Sequence, residues 1–323
     1  MMKHGTLAKM FAGTLLCAAA HAACAAYPER PIRLVMPVAP SGALDATIRL
    51  LESSLRKTLG QPVIVDYKPG AAGMITAQTV QNAPADGYTL GLLISSMVPT
   101  PLVQKSSRID LVKDLAPVCR VAIGPMVIFT RPDPELRTLE GLLAAARKYP
   151  DRLTYASNGV GSQGHLLTER LAQQAGVKFT HVPYKTNAQS LSALLAGDIH
   201  FTFTSFSEPA IQAVAAGKLH AIAVSTQDPS PALPGVPPVA SLIPGFDLPV
   251  WYGIVAPRGT PAAIVSRLSD AFRTALADPE IGRRYLAYGY VPAHADPAGL
   301  GLIMDQEMSI WAPMIKAGGF AAE

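Results

Sequence analysis

The stretch Ile32-Arg33-Leu34-Val35-Met36-Pro37-Val38 opens an alternation of short apolar runs with longer segments of helical period. Helical period marks residues 43–59 and 73–81, and apolar runs follow at residues 63–67 and 88–95. These runs are nearly continuous in apolar residues, which is typical of strands covered by helices on both faces. The order strand, helix, strand, helix, strand predicts an α/β fold whose first lobe is doubly wound.

A second series of the same kind begins after Arg131-Pro132. Helices are predicted at residues 138–148, 165–175, 187–196 and 208–216, and strands at residues 153–156, 179–183, 199–204 and 221–224. The proline-rich residues 229–238 can form neither a helix nor a central strand, so they are predicted to be a surface connection between lobes. A strand at 251–256 and a helix at 261–276 follow, and Ile264, Leu268, Phe272 and Leu276 form its predicted core stripe.

These elements predict two doubly wound lobes joined by a hinge that the chain crosses twice. The boundaries are placed at residues 26–124 for the first part of lobe 1, 125–229 for lobe 2 and 230–323 for the second part of lobe 1. The crossings are expected near residues 121–130 and 223–226. Ligands commonly bind at such domain interfaces, where closure of the lobes can surround them.

Residues 1–25 have the pattern of a secretory signal peptide, because Lys3 and Lys9 precede an apolar run that ends in small residues. Cleavage is predicted after Ala25, although a second cleavage-type site ends at Ala22. The apolar run is shorter than the ~20 residues of a membrane-spanning helix, so no stable membrane insertion is expected. A lipoprotein anchored through Cys24 is disfavoured, because His21 stands where an aliphatic residue is usual. The mature chain is therefore expected in the periplasm.

Charge and cysteine content exclude several functions. Loss of the two leader lysines lowers the formal net charge from +4 to +2, which argues against nucleic-acid binding. Cys17 and Cys24 lie in the leader, and Cys119 remains within the apolar residues 117–123. A mature chain with one cysteine has no internal disulfide, and this thiol is predicted to be buried in the core.

The first candidate ligand loop follows the first strand. Its candidate residues are Ala39, Pro40, Ser41, Gly42, Ala43 and Asp45. Ligands of open α/β sheets bind at the carboxyl ends of strands, and the N–H groups of a helix start favour an anion. In the alternative interpretation, Ser41 caps the helix and Asp45 stabilises its own first turn. The spacing leaves both interpretations open.

The second candidate loop also connects a strand to a helix. Its candidate residues are Asn158, Gly159, Gly161, Ser162, Gln163, Gly164 and His165. The three glycines match G-x-G-x-x-G, the dinucleotide fingerprint, yet no acidic residue stands about twenty positions later to hold a ribose. We therefore interpret the match as a glycine turn that lets backbone amides approach a smaller anion.

A catalytic interpretation of this loop is an exported serine hydrolase that uses Ser162 and His165. Val160 stands where the first glycine of G-x-S-x-G would be, and the sequence places no partner acid. The remaining histidines, His181, His200, His220 and His294, show no metal-ligand spacing. We expect no catalytic residue, no metal and no cofactor.

Further polar loops stand at the ends of other predicted strands. Their candidate residues are Ser95, Ser96, Tyr184, Lys185, Thr204, Ser205 and Phe206. Each loop could equally be a capped turn. All of them follow strands in the same sense, so they can line one cleft together with the two loops described above.

Several longer motifs occur in a characteristic order. They include Pro69-Gly70-Ala71-Ala72-Gly73, Ala85-Asp86-Gly87-Tyr88-Thr89-Leu90, Tyr155-Ala156-Ser157, His181-Val182-Pro183-Tyr184-Lys185 and Ala256-Pro257-Arg258-Gly259-Thr260-Pro261. Through these motifs the chain resembles the Bug-type solute receptors of tripartite tricarboxylate transporters, from about Tyr27 to its C-terminus. The resemblance implies a periplasmic binding protein fold of type II-like architecture. It also implies that a carboxylate binds in the interlobe cleft, mainly through backbone and water at residues 39–45 and 158–165.

The chain departs from the family pattern at three places. Ser41-Gly42-Ala43-Leu44-Asp45 replaces a turn that usually has a glycine pair, and Thr186-Asn187 replaces glycines after Tyr184-Lys185. The strand that commonly ends in aspartate ends here in Thr204-Ser205. An aspartate of the protein at this position would pair with an amino group of the ligand. Because the aspartate is absent, the ligand is predicted to be a carboxylate without an ammonium group.

The function predicted from these observations is that of an exported, non-enzymatic receptor. It would bind a small organic anion and deliver it to the subunits of a membrane transporter, and we expect it to be a monomer. Two alternatives remain, the serine hydrolase and a ligand sensor that contacts a membrane signalling partner.

Overall fold

The computed structural model describes residues 27–40, 43–104 and 109–318. The predicted signal peptide with Cys17 and Cys24 lies outside the described residues, as do Ser41 and Gly42 of the first candidate loop. Among the helices of the described ranges, none is both long and apolar enough to cross a membrane.

The strands of the described chain form two sheets. In chain order they are β1 (Ile32–Met36), β2 (Val63–Tyr67), β3 (Thr89–Ile94), β4 (Leu115–Gly124), β5 (Met126–Thr130), β6 (Thr154–Ser157), β7 (Thr180–Pro183), β8 (Phe201–Ser205), β9 (His220–Val224), β10 (Val250–Pro257) and β11 (Val291–Ala295). Sheet 1 has the order β11-β4-β10-β3-β1-β2, and sheet 2 has the order β7-β6-β8-β5-β9. Lobe 1 is built on sheet 1 and lobe 2 on sheet 2.

Helices cover both sheets. In chain order they are α1 (Ala43–Arg49), α2 (Glu52–Leu59), α3 (Met74–Gln81), α4 (Thr100–Val103), α5 (Leu111–Asp114), α6 (Leu139–Lys148), α7 (Gln163–Ala175), α8 (Asn187–Ala196), α9 (Glu208–Ala215), α10 (Ala262–Leu276), α11 (Pro279–Ala287) and α12 (Pro297–Gly318). The predicted single helix over residues 43–59 is two helices. Leu51 N–H donates to the carbonyl of Ile48, and this tighter turn separates α1 from α2.

Both sheets are mixed rather than wholly parallel. β1 is parallel to β2 and β3, as predicted, whereas β10 is antiparallel to β3 and to β4. In sheet 2, β6 is parallel to β7 and β8, and β5 is antiparallel to β8 and β9. These antiparallel pairs all involve β10 or β5, because each of these strands arrives from the other lobe and enters its sheet from the opposite end. At the edge of sheet 1, β11 is also antiparallel to β4.

β10 shows why its sequence is almost wholly apolar. All of its residues are buried. Ile254 belongs to one hydrophobic cluster with Leu268 and Phe272 of α10, while Val255 belongs to another with Leu300 of α12. The strand thus has a core on each face, which removes the alternation of polar and apolar residues. The predicted core stripe of α10 is confirmed, and Cys119 is buried in β4 as predicted.

Hydrogen bonds tie the two crossings of the hinge together. The chain first crosses between Gly124 and Met126, and Met126 N–H donates to Ser225 Oγ at 3.0 Å. Ser225 N–H donates to the carbonyl of Met126 at 2.9 Å, and Leu248 N–H donates to the carbonyl of Ser225 at 2.9 Å. These contacts link the start of β5 to both ends of the segment that precedes β10.

The return crossing lies later in the chain than residues 223–226. Val224 is still part of sheet 2, and Phe246 stacks on Phe203 of β8 with ring centroids 6.2 Å apart. The proline-rich residues 229–238 therefore run along lobe 2, and the chain enters sheet 1 at Val250. The boundaries at 124/125 and 229/230 stay predictions, and these contacts favour moving the second one to follow Leu248.

Candidate functional site

A cavity of about 530 Å³ lies between the two lobes, where loops from the strand ends of both sheets face each other. Of the residues predicted from the sequence, the cavity is lined by Ala43, Ser96, Asn158, Gly161, Ser162, Gln163, Gly164, Thr204, Ser205 and Phe206. The fold thus brings parts of all the predicted strand-end loops to one place, and the loop after β7 takes part through Asn187 rather than through Tyr184 or Lys185. Ligand binding by these residues stays a prediction.

Other predicted residues lie outside the described lining of this cavity. They are Ala39, Pro40, Asp45, Ser95, Gly159, His165, Tyr184 and Lys185. Tyr184 and Lys185 line a separate surface depression beside α8. Ser41 and Gly42 fall outside the described residues.

Asp45 is held within its own lobe. The Tyr67 hydroxyl donates to Asp45 Oδ1 at 2.5 Å, and Arg49 Nε donates to the same oxygen at 3.1 Å. The Arg49 contact joins residues one turn apart on α1, an arrangement that stabilises a helix. These contacts favour the alternative interpretation, in which Asp45 supports the helix that begins the first loop.

The glycines of the second loop have steric roles. We call residues 157–164 the glycine loop. Gly159 and Gly161 have φ values of +103° and +77°, in the region that L side chains rarely adopt. A Cβ added to Gly164 would lie 2.4 Å from the carbonyl oxygen of Phe203, so the start of α7 packs directly on β8. Turn geometry and close packing therefore account for the glycines of the G-x-G-x-x-G match.

Two stacked histidines support the glycine loop from behind. Gly161 N–H donates to His165 Nδ1 at 3.0 Å, and the rings of His165 and His181 stack with centroids 4.1 Å apart. His181 Nε2 lies 2.6 Å from Ser157 Oγ, which also bonds the backbone of Gly159. Burial, and then the neighbouring His181, lowers the pKa of His165 to about 4. His165 is therefore neutral at physiological pH and accepts a bond that holds the turn.

The proposed hydrolase pair is not assembled. Ser162 Oγ is buried and has no hydrogen-bond partner among the described residues, whereas His165 Nδ1 is engaged by Gly161. A serine nucleophile needs a base within hydrogen-bond reach. The geometry of the described residues thus gives Ser162 no activating base.

The wall of the cavity nearest the hinge was not among the residues predicted from the sequence. We call Met126, Val250, Tyr252 and Tyr290 the hinge wall, and all four line the cavity. The Tyr252 and Tyr290 hydroxyls are 2.6 Å apart. These residues come from the start of β5, from β10 and from the turn before β11. Tyr252 was inside a predicted strand, and no local pattern marked Tyr290.

A second missed segment is the turn after β2. Gly70, Ala72 and Gly73 line the cavity, and Ala71 and Ala72 have φ values of +47° and +50°. Positive φ at a residue with a Cβ is unfavourable, and such strain is concentrated at functional sites. The motif Pro69-Gly70-Ala71-Ala72-Gly73 was a signal for this turn, but it was not counted among the candidate residues.

The cavity combines apolar side chains with uncharged polar groups. Among the described lining residues there is no aspartate, glutamate, lysine, arginine or histidine. The N-terminus of α7, a helix of 13 residues, reaches the cavity through Ser162, Gln163 and Gly164. Free N–H groups of a first helical turn attract an anion. The arrangement can therefore hold a carboxylate through backbone amides and hydroxyls.

Among the described residues, a hydrogen bond between two side chains crosses the cleft. Gln163 Nε2 of lobe 2 donates to Ser95 Oγ of lobe 1 at 3.0 Å. Next to it, Gly161 packs on Val103 of α4, because a Cβ at position 161 would lie 2.9 Å from Val103 Cγ1. The lobes are thus in direct contact beside the cavity, and Ser95 contributes to that contact rather than to the described lining.

The chain was compared with models of known protein families. The model of the tripartite tricarboxylate transporter family receptor matches residues 47–320. The chain belongs to this family. The match includes parts of both lobes and most of the described cavity lining, and the lining residues of the first loop, such as Ala43 and Leu44, precede it.

Individual relatives agree with the family assignment. Protein BugT of Bordetella pertussis is 33% identical over 298 residues, which cover 91% of this chain and 90% of BugT. The periplasmic binding protein BugD has 30% identity and a TM-score of 0.77, with 92% of this chain and 100% of BugD covered. R. palustris Rpa4515 with adipate has 30% identity and a TM-score of 0.79, with 91% and 98% covered. The chain is a member of a family of periplasmic solute receptors.

Proposed function

We propose that this family member is an exported receptor that binds a small organic carboxylate between its lobes and delivers it to a tripartite tricarboxylate-type membrane transporter. The observation that carries the proposal is the uncharged cavity at the N-terminus of α7, lined by loops from both lobes. Two relatives support the ligand class, since Rpa4515 is described with adipate and MatC from Rhodopseudomonas palustris with bound malate.

The receptor acts by closure. An acid that contacts loops of both lobes binds the closed form better than the open one, so it shifts the population toward closure. The bound acid is not chemically changed, and the closed monomer is the form that the transporter recognises in the periplasm.

The ligand carries no ammonium group. Thr204 and Ser205 line the cavity where the resemblance implied an aspartate, and no carboxylate lies among the described lining residues. A buried ammonium without a counter-charge is strongly disfavoured. Aspartate and glutamate are therefore expected to bind much more weakly than acids of equal length without an amino group.

Calorimetry and thermal unfolding of the mature protein test the proposal. The panel consists of mono-, di- and tricarboxylates, aromatic acids, amino acids and nicotinamide nucleotides. A binding acid at a hundredfold excess over its dissociation constant is expected to raise the free energy of unfolding by ~2.7 kcal/mol. Stabilisation by nucleotides alone would contradict the proposal and revive the dinucleotide interpretation.

Two further measurements separate the alternatives. Ester turnover that is lost in Ser162→Ala would favour the hydrolase over the receptor. Cells that lack the receptor are expected to lose uptake of the acid. Recovery of that uptake when the intact chain is supplied would support delivery to a transporter. Co-purification with a membrane kinase, without any effect on uptake, would instead favour the sensor.

A further inference from the structure

The cavity wall contains hydroxyl protons that no atom of the described residues accepts. Buried polar groups are nearly always hydrogen-bonded, so each exception calls for an explanation. The first exception is Ser162 Oγ, which is buried at the start of α7 in lobe 2 and has no partner among the described residues.

The second exception is shared by a pair of tyrosines in lobe 1. Tyr252 and Tyr290 are 5% and 4% exposed, and the 2.6 Å contact between their hydroxyls is the one hydrogen bond that either hydroxyl makes within the described chain. Two hydroxyls carry two protons, and one bond uses one of them. Whichever tyrosine donates, the pair keeps one O–H donor without an acceptor.

The pair keeps both protons at physiological pH. Burial raises the pKa of both phenols, and each ring lacks a neighbouring cation among the described cavity residues that would favour ionisation. A phenol that itself accepts a hydrogen bond is also a stronger donor, because bonds in a chain polarise one another. The pair therefore offers a single neutral, well-polarised donor.

The surroundings of this donor are apolar and closely packed. The Tyr290 ring lies on Gly124, where an added Cβ would be 2.4 Å from Tyr290 Cδ1. Phe206 of lobe 2 packs on Gly289 in the same way, with its Cγ 2.2 Å from the position of an added Cβ. Val250 and Met126 complete the wall. A carboxylate placed here would lose its hydration and gain one hydrogen bond, whereas a neutral acceptor loses far less.

We propose that the Tyr252–Tyr290 pair is a specificity site for a neutral hydrogen-bond acceptor at the far end of the bound acid, while Ser162 and the start of α7 receive the carboxylate. The inference rests on the proposed receptor function and narrows its ligand class. The preferred ligands are small carboxylic acids that carry a hydroxyl, carbonyl or carboxamide group away from the carboxylate. Such a ligand satisfies one orphan donor on each lobe and so links the lobes.

Matched acids that differ only at the far end test this inference by calorimetry. The open-chain series is hexanoate, 6-hydroxyhexanoate and adipate, repeated for chains of four to eight carbons. The aromatic series is benzoate, 4-hydroxybenzoate and terephthalate. In the wild-type protein, the neutral acceptor is expected to improve affinity about tenfold over the unsubstituted acid and to exceed the diacid of the same length.

The variant that removes both hydroxyls, Tyr252→Phe with Tyr290→Phe, is expected to lose that tenfold preference and to keep its affinity for the unsubstituted acid. If the double variant does not fold, the single variants Tyr252→Phe and Tyr290→Phe report on the site. Each keeps one phenol that can still donate but no longer accepts a hydrogen bond from its neighbour, so the preference for the neutral acceptor is expected to be reduced rather than lost. Tyr285→Phe is the matched control, because Tyr285 Oη is also buried without a partner but lies outside the described cavity lining. It is expected to retain the full preference.

The outcomes separate the inference from the function on which it rests. A preference that survives in the double variant, or a diacid that binds more tightly than the neutral acceptor, would overturn the tyrosine site while the receptor function stands. If none of these acids and no other carboxylate of the wider panel binds, both proposals fail.

Discussion

The glycine loop and the hinge wall face each other across one cavity, yet they are built by different means. The glycine loop is a continuous segment whose shape comes from backbone φ angles and from glycines that allow close contacts. The hinge wall is assembled from side chains of three distant segments. The loop can offer amides to any small anion, whereas the wall can distinguish what the anion carries at its other end. Under the functions proposed above, the loop would supply general affinity and the wall would supply specificity.

The largest effect is expected from Gly164→Ala, which tests whether the glycine loop depends on backbone contact. The added Cβ would meet the Phe203 carbonyl at 2.4 Å, a backbone atom that cannot rotate away. We expect the free energy of unfolding to fall by about 2–3 kcal/mol in urea titration, with weaker ligand binding. Gly282→Ala in α11 is the control, because a Cβ there meets nothing within 4 Å and should be neutral or slightly stabilising. Equal stability of the two variants would contradict this view.

Protonation of His165 at acid pH is expected to lower the stability that this residue gives to the protein through the glycine loop. Its pKa is about 4 in the folded protein against 6.5 when unfolded, so the unfolded chain binds more protons between these values. Stability conferred by the neutral ring is present above pH 6.5 and is lost as the pH falls. The stability that His165 contributes is expected to fall by about 2 kcal/mol between pH 6.5 and 4.5. Burial raises the pKa of Glu307 to about 7, which changes stability in the opposite direction over the same range, so the His165 contribution is measured as the difference between the wild type and His165→Asn in denaturant titrations.

His165→Asn is the control for this pH dependence, because an amide oxygen can accept the Gly161 N–H bond and does not titrate in this range. As the pH falls, the stability of this variant is expected to gain on that of the wild type. The other groups whose pKa burial shifts, including His181, His200 and Glu307, titrate in both proteins and cancel in the comparison. The same slope in both proteins would show that His165 is not the group that senses acid.

A smaller effect is expected where the two sides meet, at the hydrogen bond from Gln163 to Ser95. This bond joins the lobes beside the cavity. If it is kept in the ligand-bound form, its loss weakens binding of a carboxylate by about fivefold, or ~1 kcal/mol. Calorimetry on Gln163→Ala, Ser95→Ala and the double variant forms a double-mutant cycle. Losses that simply add would indicate that the two side chains act separately.

The smallest effect is expected from Tyr285→Phe. This variant compares a hydroxyl without a partner outside the described cavity lining with the Tyr252–Tyr290 pair inside it. Tyr285 is fully buried and its hydroxyl lacks a partner, so its removal leaves no further group unsatisfied. We expect the free energy of unfolding to be unchanged or raised by less than about 1 kcal/mol. A clear loss of stability would mean that the hydroxyl makes a contact essential to the fold.

Local elements of the fold were predictable because their signals lie within a few residues of one another. β2 and α8 occupy the predicted residues, and Thr138 caps α6 at its predicted start by accepting from Gly141 N–H. β4, β11 and α12 were not predicted as elements. β4 contains Pro117 and bulges in its pairing with β10, which obscures its period.

The candidate site also has residues that the local sequence pattern predicted correctly and residues that it did not. Asn158, Gly161, Ser162, Gln163 and Gly164 were identifiable because a glycine-rich turn between a strand and a helix is a local pattern. Asp45 has the same kind of local signal, yet its partner Tyr67 comes from another strand and holds the carboxylate within its own lobe. A local motif therefore predicts where a loop turns and not which of its side chains face the ligand.

By itself, the sequence determined the order of strands and helices, the two-lobed plan, the family and the glycine loop, since each depends on periodicity, turn chemistry or motif order along the chain. Only the tertiary structure decided the late return crossing near Leu248, the mixed sheets and the hinge wall. Tyr252 and Tyr290 illustrate the reason. Their hydroxyls meet at 2.6 Å because β10 lies between β3 and β4 and β11 pairs with β4 at the sheet edge, and no spacing along the chain encodes that meeting.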